Sequence, residues 1–438
     1  MERDLLKARL SRMPQLPPLD APAPTRAPFA ADERDDEDDA DEERDSFDLM
    51  TAPAVRPGRR RIGTPGGSSS TQYSPLTAEG TFDSCLEVRV PISSPWAGPS
   101  SSSSTPAPAA ATFRTYYTPP RVDPLEGGNG TVFVCVHGAG YSALSFAELA
   151  RALAGAEEDA AARGAGKGKG RRGRVGVLAY DARGHGRTVL PDPPSSTSTS
   201  PTVDMSLDHL SADLVSLLKT LFPNRATAPA LVLVGHSMGG AVVADACSRI
   251  QAEVADVTGV AVIDVVEGTA IDALPNMAAL IAGHPKSFDS QADAIAWHVH
   301  SRTINNLASA RVSVPPLIRP AAGSGAAGGG GGPSAGPYVW RVELEKTEPY
   351  WRGWFTGLSS KFLGCRAAKL LLLAGTDRLD KELLIGQMQG RYQLEVYPDV
   401  GHNVHEDAPA RTAETLLDFW ERNDRSDVLR GVKKVGEA

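Results

Sequence analysis

Residues 231–250 read Leu-Val-Leu-Val-Gly-His-Ser-Met-Gly-Gly-Ala-Val-Val-Ala-Asp-Ala-Cys-Ser-Arg-Ile. The first four residues are apolar and strand-like, Gly235-His236-Ser237-Met238-Gly239 matches G-x-S-x-G, and Gly240–Ile250 has a helical texture. In that setting the pentapeptide is a mechanical device. A strand turns sharply into a helix, and Gly235 and Gly239 let the backbone close where a Cβ would collide. Ser237 is thereby held exposed in a strained conformation, with the helix amino terminus facing the charge that would develop beside it. A structural serine in a Gly-rich turn is the plainer alternative, and the rest of the chain has to decide between the two.

Outward from this stretch, short apolar runs alternate with helical ones. The strand candidates are Thr131–Val136, Val175–Tyr180, Leu231–Val234, Gly259–Val266, Lys369–Ala374 and Tyr392–Tyr397, with helical stretches such as Leu207–Phe222 and Thr412–Trp420. Continuous apolar strands signal a sheet covered on both faces, and strand–helix alternation signals a mostly parallel α/β sheet. Together with the turn at Ser237, this pattern resembles the α/β-hydrolase fold, with helices on both faces of the central sheet. Residues 269–361 interrupt the alternation, which predicts a cap insertion over the carboxyl ends of the strands, where such sheets bind ligands.

The composition divides the chain. Net charge is −8, but Asp32–Asp48 alone carries twelve acidic residues and two arginines, so the remainder is near +2. That near-neutral remainder gives no ground for nucleic acid or membrane binding. Residues 1–112 hold this acidic run, a basic patch at Arg56 and Arg59–Arg61, and Gly-Ser and Ser-rich stretches. They are expected to be a disordered low-complexity region, because such composition buries too little apolar surface to offset chain entropy. Thr81–Val90 is the one part with strand-like alternation, expected to dock on the domain edge. The α/β-hydrolase domain is then assigned to 113–425, with a disordered Gly-rich loop at 321–336, a flexible basic insert at Gly164–Arg174 and a tail at 426–438. Cys85, Cys135, Cys247 and Cys365 are widely spaced, with neither a disulfide framework nor a zinc spacing. The amino terminus lacks the apolar core of a signal peptide, and no apolar run reaches the roughly 20 residues of a membrane span. An intracellular, cytoplasmic or nuclear monomer is expected.

A serine hydroxyl needs a base and an oxyanion site. His137-Gly138-Ala139-Gly140 ends the strand Thr131–Val136, where this fold places its second oxyanion donor, so the backbone N–H groups of Ala139 and Met238 are the candidates. Each such donor is worth roughly 3–4 kcal/mol in the transition state. Among nine histidines, His402 follows the last strand and precedes the final helix, the loop where this fold delivers its base. His405 is the rival, and His137, His185 and His236 read as packing and loop hydrogen-bonding groups. Two aspartates suit the acid. Asp377 follows Lys369–Ala374, the usual position, whereas Asp264 sits among Ile263, Val265 and Val266, where burial is costly unless the carboxylate is paired. The residues alone leave that choice open, and nothing in the chemistry calls for a metal or cofactor.

Several longer strings resemble the protein phosphatase methylesterase family. They are 235–240 (GHSMGG), 263–270 (IDVVEGTA), 340–344 (WRVEL), 371–380 (LLLAGTDRLD), 385–390 (IGQMQG) and 401–409 (GHNVHEDAP), within a similarity running from about Phe113 to Trp420. The resemblance implies a serine carboxylesterase that removes the methyl ester from the carboxy-terminal leucine of the type 2A protein phosphatase catalytic subunit. It also implies Ser237 as nucleophile, His402 as base and Asp264, rather than Asp377, as acid. The long acidic tail and the insert Gly164–Arg174 depart from the family pattern. Two alternative readings stand beside it: a general carboxylesterase or lipase on small esters, and a phosphatase-binding inhibitor whose hydrolase site is secondary.

Overall fold

The structure, a computed structural model, describes residues 71–93, 109–122, 129–162, 175–192, 202–321, 337–376 and 378–424. It begins with β1 (Ser84–Ile92) and β2 (Ala109–Thr118). There follow β3 (Thr131–Val136), α1 (Ala147–Ala162), β4 (Val175–Tyr180), α2 (Leu207–Leu221), β5 (Ala230–His236), α3 (Met238–Glu253) and β6 (Val257–Ile263). The insertion holds α4 (Glu267–Ala282), α5 (Gln291–His300), α6 (Leu307–Ser313), a hairpin of β7 (Ile318–Pro320) and β8 (Tyr338–Trp340), α7 (Glu348–Phe355) and α8 (Leu358–Gly364). The chain returns through β9 (Ala368–Ala374), α9 (Lys381–Met388), β10 (Gln393–Tyr397), α10 (Val404–Asp407) and α11 (Pro409–Asn423).

The sheet runs β1-β2-β4-β3-β5-β6-β9-β10. Only the β1–β2 and β2–β4 pairings are antiparallel, and the rest are parallel. Successive side chains of a strand point to opposite faces, and here they feed two cores. Val132, Val134, Leu231, Leu233 and Leu371 join residues of α2, α3, α7 and α8 on one face. Phe133, Cys135, Val232, Val234 and Leu372 join Leu149, Leu416 and Trp420 of α1 and α11 on the other. This is why the central strands read as unbroken apolar runs. After β4 the chain crosses back, so β3 lies between β4 and β5. The carboxyl ends of β3 and β5 therefore flank the point where the direction of sheet growth reverses, the crevice in which such sheets bind ligands.

The expected domain start at residue 113 is too late. β1 pairs with β2 along its full length, from Ser84 opposite Tyr117 to Ile92 opposite Ala109. Val90 and Ile92 enter the same core as Phe113, while Glu87 and Arg89 on the alternate positions face solvent. Polar outward residues on an edge strand make it look like tail. Just before β1, the segment around Tyr73 straps the insertion: Arg311 Nε donates to Ser74 O at 2.7 Å, Leu76 N donates to Arg311 O at 2.8 Å, and Tyr73 Oη lies 3.1 Å from His300 Nε2. The acidic run, the basic patch, the insert 164–174 and the tail 426–438 lie outside the described residues, as does the Gly-rich loop beyond Ala321. No helix among the described residues is long and apolar enough to cross a membrane.

These contacts set different outcomes for two truncations. A chain beginning at residue 71 keeps every described contact and should match the full-length melting temperature and small-ester turnover. A chain beginning at 109 loses β1, and with Val90 and Ile92 it forfeits about 1.5–3 kcal/mol for each buried side chain. It should melt well below the full chain or fail to stay soluble. Equal melting temperatures for the two would show that β1 is not part of the folding unit.

Candidate active site

β5 ends at His236 and α3 begins at Met238, leaving Ser237 as the one residue between strand and helix. Its φ of 51° and ψ of −119° lie outside the regions that L-residues favour. Such strain persists only where the surroundings over-determine it, and here they do. Ser237 N donates to Ile263 O at 3.0 Å. A Cβ on Gly235 would fall 2.2 Å from Gly239 O, and one on Gly239 would fall 2.0 Å from Val136 O. No side chain fits at either glycine, so the strand and helix can close this tightly only with this sequence. Ser237 is half-buried while every residue from Leu231 to His236 and from Met238 to Gly240 is buried.

His402 and Asp264 meet across 138 residues of sequence. His402 Nδ1–H donates to Asp264 Oδ2 at 2.7 Å. Asp264 Oδ1 accepts from Ala374 N at 2.8 Å, and Asp264 N donates to Leu372 O at 2.7 Å. The aspartate was expected inside a strand reaching Val266. Instead β6 stops at Ile263, where its pairing with β9 ends, and Asp264 turns out of the sheet at φ 49°. Both carboxylate oxygens are thus engaged in a site only 8% exposed, which is what a buried charge requires. With Nδ1 committed to Asp264, Nε2 is the ring nitrogen left to serve as a base. Asp377 lies outside the described residues.

The loop after β3 lies against Ser237, since a Cβ on Gly138 would be 3.2 Å from Ser237 Cβ and 2.9 Å from His236 Nδ1. Two neutral histidines hold that loop. His137 Nε2 accepts from Ala182 N at 3.0 Å and Nδ1 lies 2.8 Å from Gly138 O, so Nδ1 carries the proton. His185 Nε2 accepts from Gly140 N at 3.0 Å, with Nδ1 3.0 Å from Arg183 O. Burial lowers their pKa values to about 4 and about 3, so neither switches charge near neutrality. Met238 opens α3, and a helix's first N–H groups have no partner within the helix. Its amide and that of Ala139, in the turn beside Gly138, are the two expected to receive an oxyanion.

His405, the other candidate for the base, lies in a different environment. It is fully buried, stacked on Phe146 with ring centroids 4.3 Å apart, and burial lowers its pKa to about 3. His236 Nε2–H donates to His402 O at 2.9 Å, so it steadies the main chain of His402. Sequence reasoning passed over Asp181, whose carboxylate takes Ala143 N and Arg187 N, each at 2.8 Å, and so ties the loops after β3 and β4 together. A signal existed in Asp181-Ala182-Arg183-Gly184-His185-Gly186, a charged Gly-rich turn directly after a buried strand. It also passed over Asn403, whose Nδ2 donates to Tyr141 Oη at 2.8 Å and Thr303 O at 2.7 Å. No local pattern marks a contact of that kind.

Residues 133–415 match the Alpha/beta hydrolase family. The peroxisomal alpha-beta-hydrolase Lpx1 from Saccharomyces cerevisiae has a similar fold, with a TM-score of 0.55 over 81% of this chain and 92% of that one at 14% identity. Protein phosphatase methylesterase 1 of Cryptococcus neoformans is 42% identical over 97% of this chain and 93% of its own. The Neurospora crassa protein of the same name is 38% identical over 98% of this chain and 96% of its own. With a strained serine at a strand–helix corner, and likeness to these relatives along nearly its whole length, the chain is a hydrolase that belongs to the protein phosphatase methylesterase family.

Proposed function

We propose that this protein demethylates the carboxy-terminal leucine methyl ester of the type 2A protein phosphatase catalytic subunit through an acyl-enzyme. The observation that carries the reading is the likeness to protein phosphatase methylesterases along 97% of the chain, joined to a paired His402 and Asp264 beside the elbow serine. His402 Nε2 takes the proton of Ser237 Oγ as that oxygen attacks the ester carbonyl. The Ala139 and Met238 amides receive the oxyanion, His402 returns the proton to the departing methoxide, and methanol leaves. Water, activated by the same imidazole, then hydrolyses the acyl-enzyme. The enzyme acts as a monomer inside the cell, in cytoplasm or nucleus, in keeping with cysteines that form no disulfide framework in the sequence.

A macromolecular substrate needs a surface as well as a cleft, and α9 supplies one. Leu384, Ile385 and Met388 are exposed on it, Met388 to 82%. Its N-cap Asp380 accepts from Ser359 Oγ at 2.5 Å and lies against Gly268, four residues after Asp264. Grouped apolar exposure of this kind marks an interaction site. The test compares two substrates. Wild type should release methanol from carboxymethylated phosphatase. Met388→Glu should lower kcat/KM on the phosphatase by about tenfold or more, the loss expected on removing an interface hot spot, and leave hydrolysis of a small activated ester unchanged. Absence of methanol release by a wild-type protein that hydrolyses the small ester would favour the general-esterase reading.

A further inference from the structure

Among the described residues, three other than glycine adopt a positive φ: Ser237, Asp264 and Arg302, at 51°, 49° and 58°. The first two belong to the site described above. The third stands in the cap, at the turn between α5 and α6, where Ser301–Asn306 runs alongside the loop that carries His402. Non-glycine residues in this region are uncommon and cluster where strain serves a function.

The carboxylate of Asp407 links that turn to the base. Asp407 Oδ1 accepts from Asn305 N at 2.7 Å, and Oδ2 accepts from Asn305 Nδ2 at 2.7 Å and from Gly401 N at 2.8 Å. Gly401 immediately precedes His402, and a Cβ there would fall 3.1 Å from both Asn305 Nδ2 and Asp407 Oδ2. On the far side of His402, Asn403 Nδ2 donates to Thr303 O at 2.7 Å, and Ser309 Oγ donates to Glu406 O at 2.7 Å. Gly401 therefore reaches the cap through the Asp407 carboxylate, Asn403 through its side chain and Glu406 through its main-chain oxygen, all between Thr303 and Ser309. Asp264, by contrast, is anchored to the sheet through Leu372 O and Ala374 N. His402 is held from the sheet too, through His236 Nε2–H to its carbonyl at 2.9 Å. Asp407 adds to the His402 loop a link to the cap that Asp264, among the described residues, does not have.

We infer that Asp407 is a positioning residue that clamps Gly401–His402 to the cap at Asn305, so that the placement of the base depends on the cap as well as on the sheet. The inference rests on His402 being the general base. It follows that loosening the clamp disturbs the registry of His402 with Asp264 and Ser237 without altering any of the three.

Two substitutions in the full-length protein test the clamp with a small activated ester. Asn305→Ala removes the Nδ2 donor at an exposed position, keeps the main-chain bond from residue 305 to Asp407 Oδ1 and the Asp407–Gly401 bond, and so weakens the clamp with no risk to the fold. It should lower kcat by about three- to tenfold with KM and melting temperature unchanged. In Asp407→Asn the side chain has one acceptor oxygen for three donors, and its own NH2 faces one of them. It should lower kcat by about tenfold or more, since misplacement of a reacting group by about 1 Å costs on the order of a hundredfold. The double variant should be no slower than Asp407→Asn, because both changes act on one connection. A folded Asp407→Asn with kcat within twofold of wild type overturns the clamp, and should that variant fail to fold, so does an Asn305→Ala whose kcat is indistinguishable from wild type. So does an additive double variant, or a loss confined to KM or melting temperature. His402→Ala separates the two ideas: if it retains activity, the assignment of the base fails and the clamp falls with it.

Discussion

Replacing Ser237 with alanine is expected to abolish ester cleavage while leaving the melting temperature within a degree or two of wild type. The structural half of this expectation follows from the corner itself. The close approach of β5 and α3 depends on Gly235 and Gly239, and the turn is held by Ser237 N to Ile263 O, a main-chain bond that alanine keeps. Alanine has the same Cβ as serine, so the strained φ costs it about as much, and a half-buried side chain that loses one hydroxyl belongs to the class of changes worth a few tenths of a kcal/mol. The chemical half is large. Without Oγ no acyl-enzyme forms, and what remains is the binding and oxyanion contribution, roughly 10³–10⁴ over water against the much larger rate of an intact triad. Methanol release from carboxymethylated phosphatase and turnover of a small activated ester should fall together by more than a thousandfold. Activity above about a thousandth of wild type in a folded Ser237→Ala protein would remove Ser237 from the reaction. The same variant distinguishes the inhibitor reading, in which a chain lacking the hydroxyl still lowers phosphatase activity; a methylesterase lacking it leaves the phosphatase methylated.

How far the sequence foretold this arrangement depends on whether the causes were local. Thr131–Val136 and Val175–Tyr180 form strands with those same bounds, because a strand buried on both faces must be apolar throughout and stops where the apolar run stops. The corner at Ser237 was legible for a similar reason, since the glycines that permit it lie within two residues of the serine. β1 was harder to read. Its outward positions are polar, and only pairing with β2 shows that Val90 and Ile92 reach the core. The limit of the strand before Asp264 was set by a partner, β9, more than a hundred residues away, and local apolarity through Val266 pointed past it. The acid itself could not be chosen from residue types, because both aspartates follow apolar strands near the right end of the sheet. Only the family resemblance favoured Asp264 there, and in the structure Asp264 lies 2.7 Å from His402 Nδ1. The clamp between Asp407 and Asn305 joins an acidic helix turn to an ordinary Asn, and no periodicity or motif announces it.

Asp264→Asn is expected to slow catalysis by several powers of ten with little change in structure, and the hydrogen bonds around residue 264 say why. Ala374 N donates to Oδ1, and an asparagine amide oxygen can take over that bond unchanged. Once its oxygen faces Ala374, its NH2 group must point where Oδ2 was, toward His402 Nδ1. The wild-type imidazole presents N–H at that position, and two donors cannot face each other there without losing a hydrogen bond in a buried site. The ring relieves the conflict by moving its proton to Nε2, so that Nδ1 accepts from the amide. Nε2 is the nitrogen that has to take the proton of Ser237, and in that tautomer it has no lone pair to do so. A wrong tautomer in an otherwise intact site costs about 10⁴ in kcat, with the effect on KM small because the substrate touches neither group. Asp377→Asn should cost far less, no more than a few-fold, if Asp264 alone orients the imidazole. Measured side by side on a small ester, the two variants decide the matter. A larger loss for Asp377→Asn than for Asp264→Asn would return the acid to the loop after β9 and leave the Asp264–His402 contact a structural one.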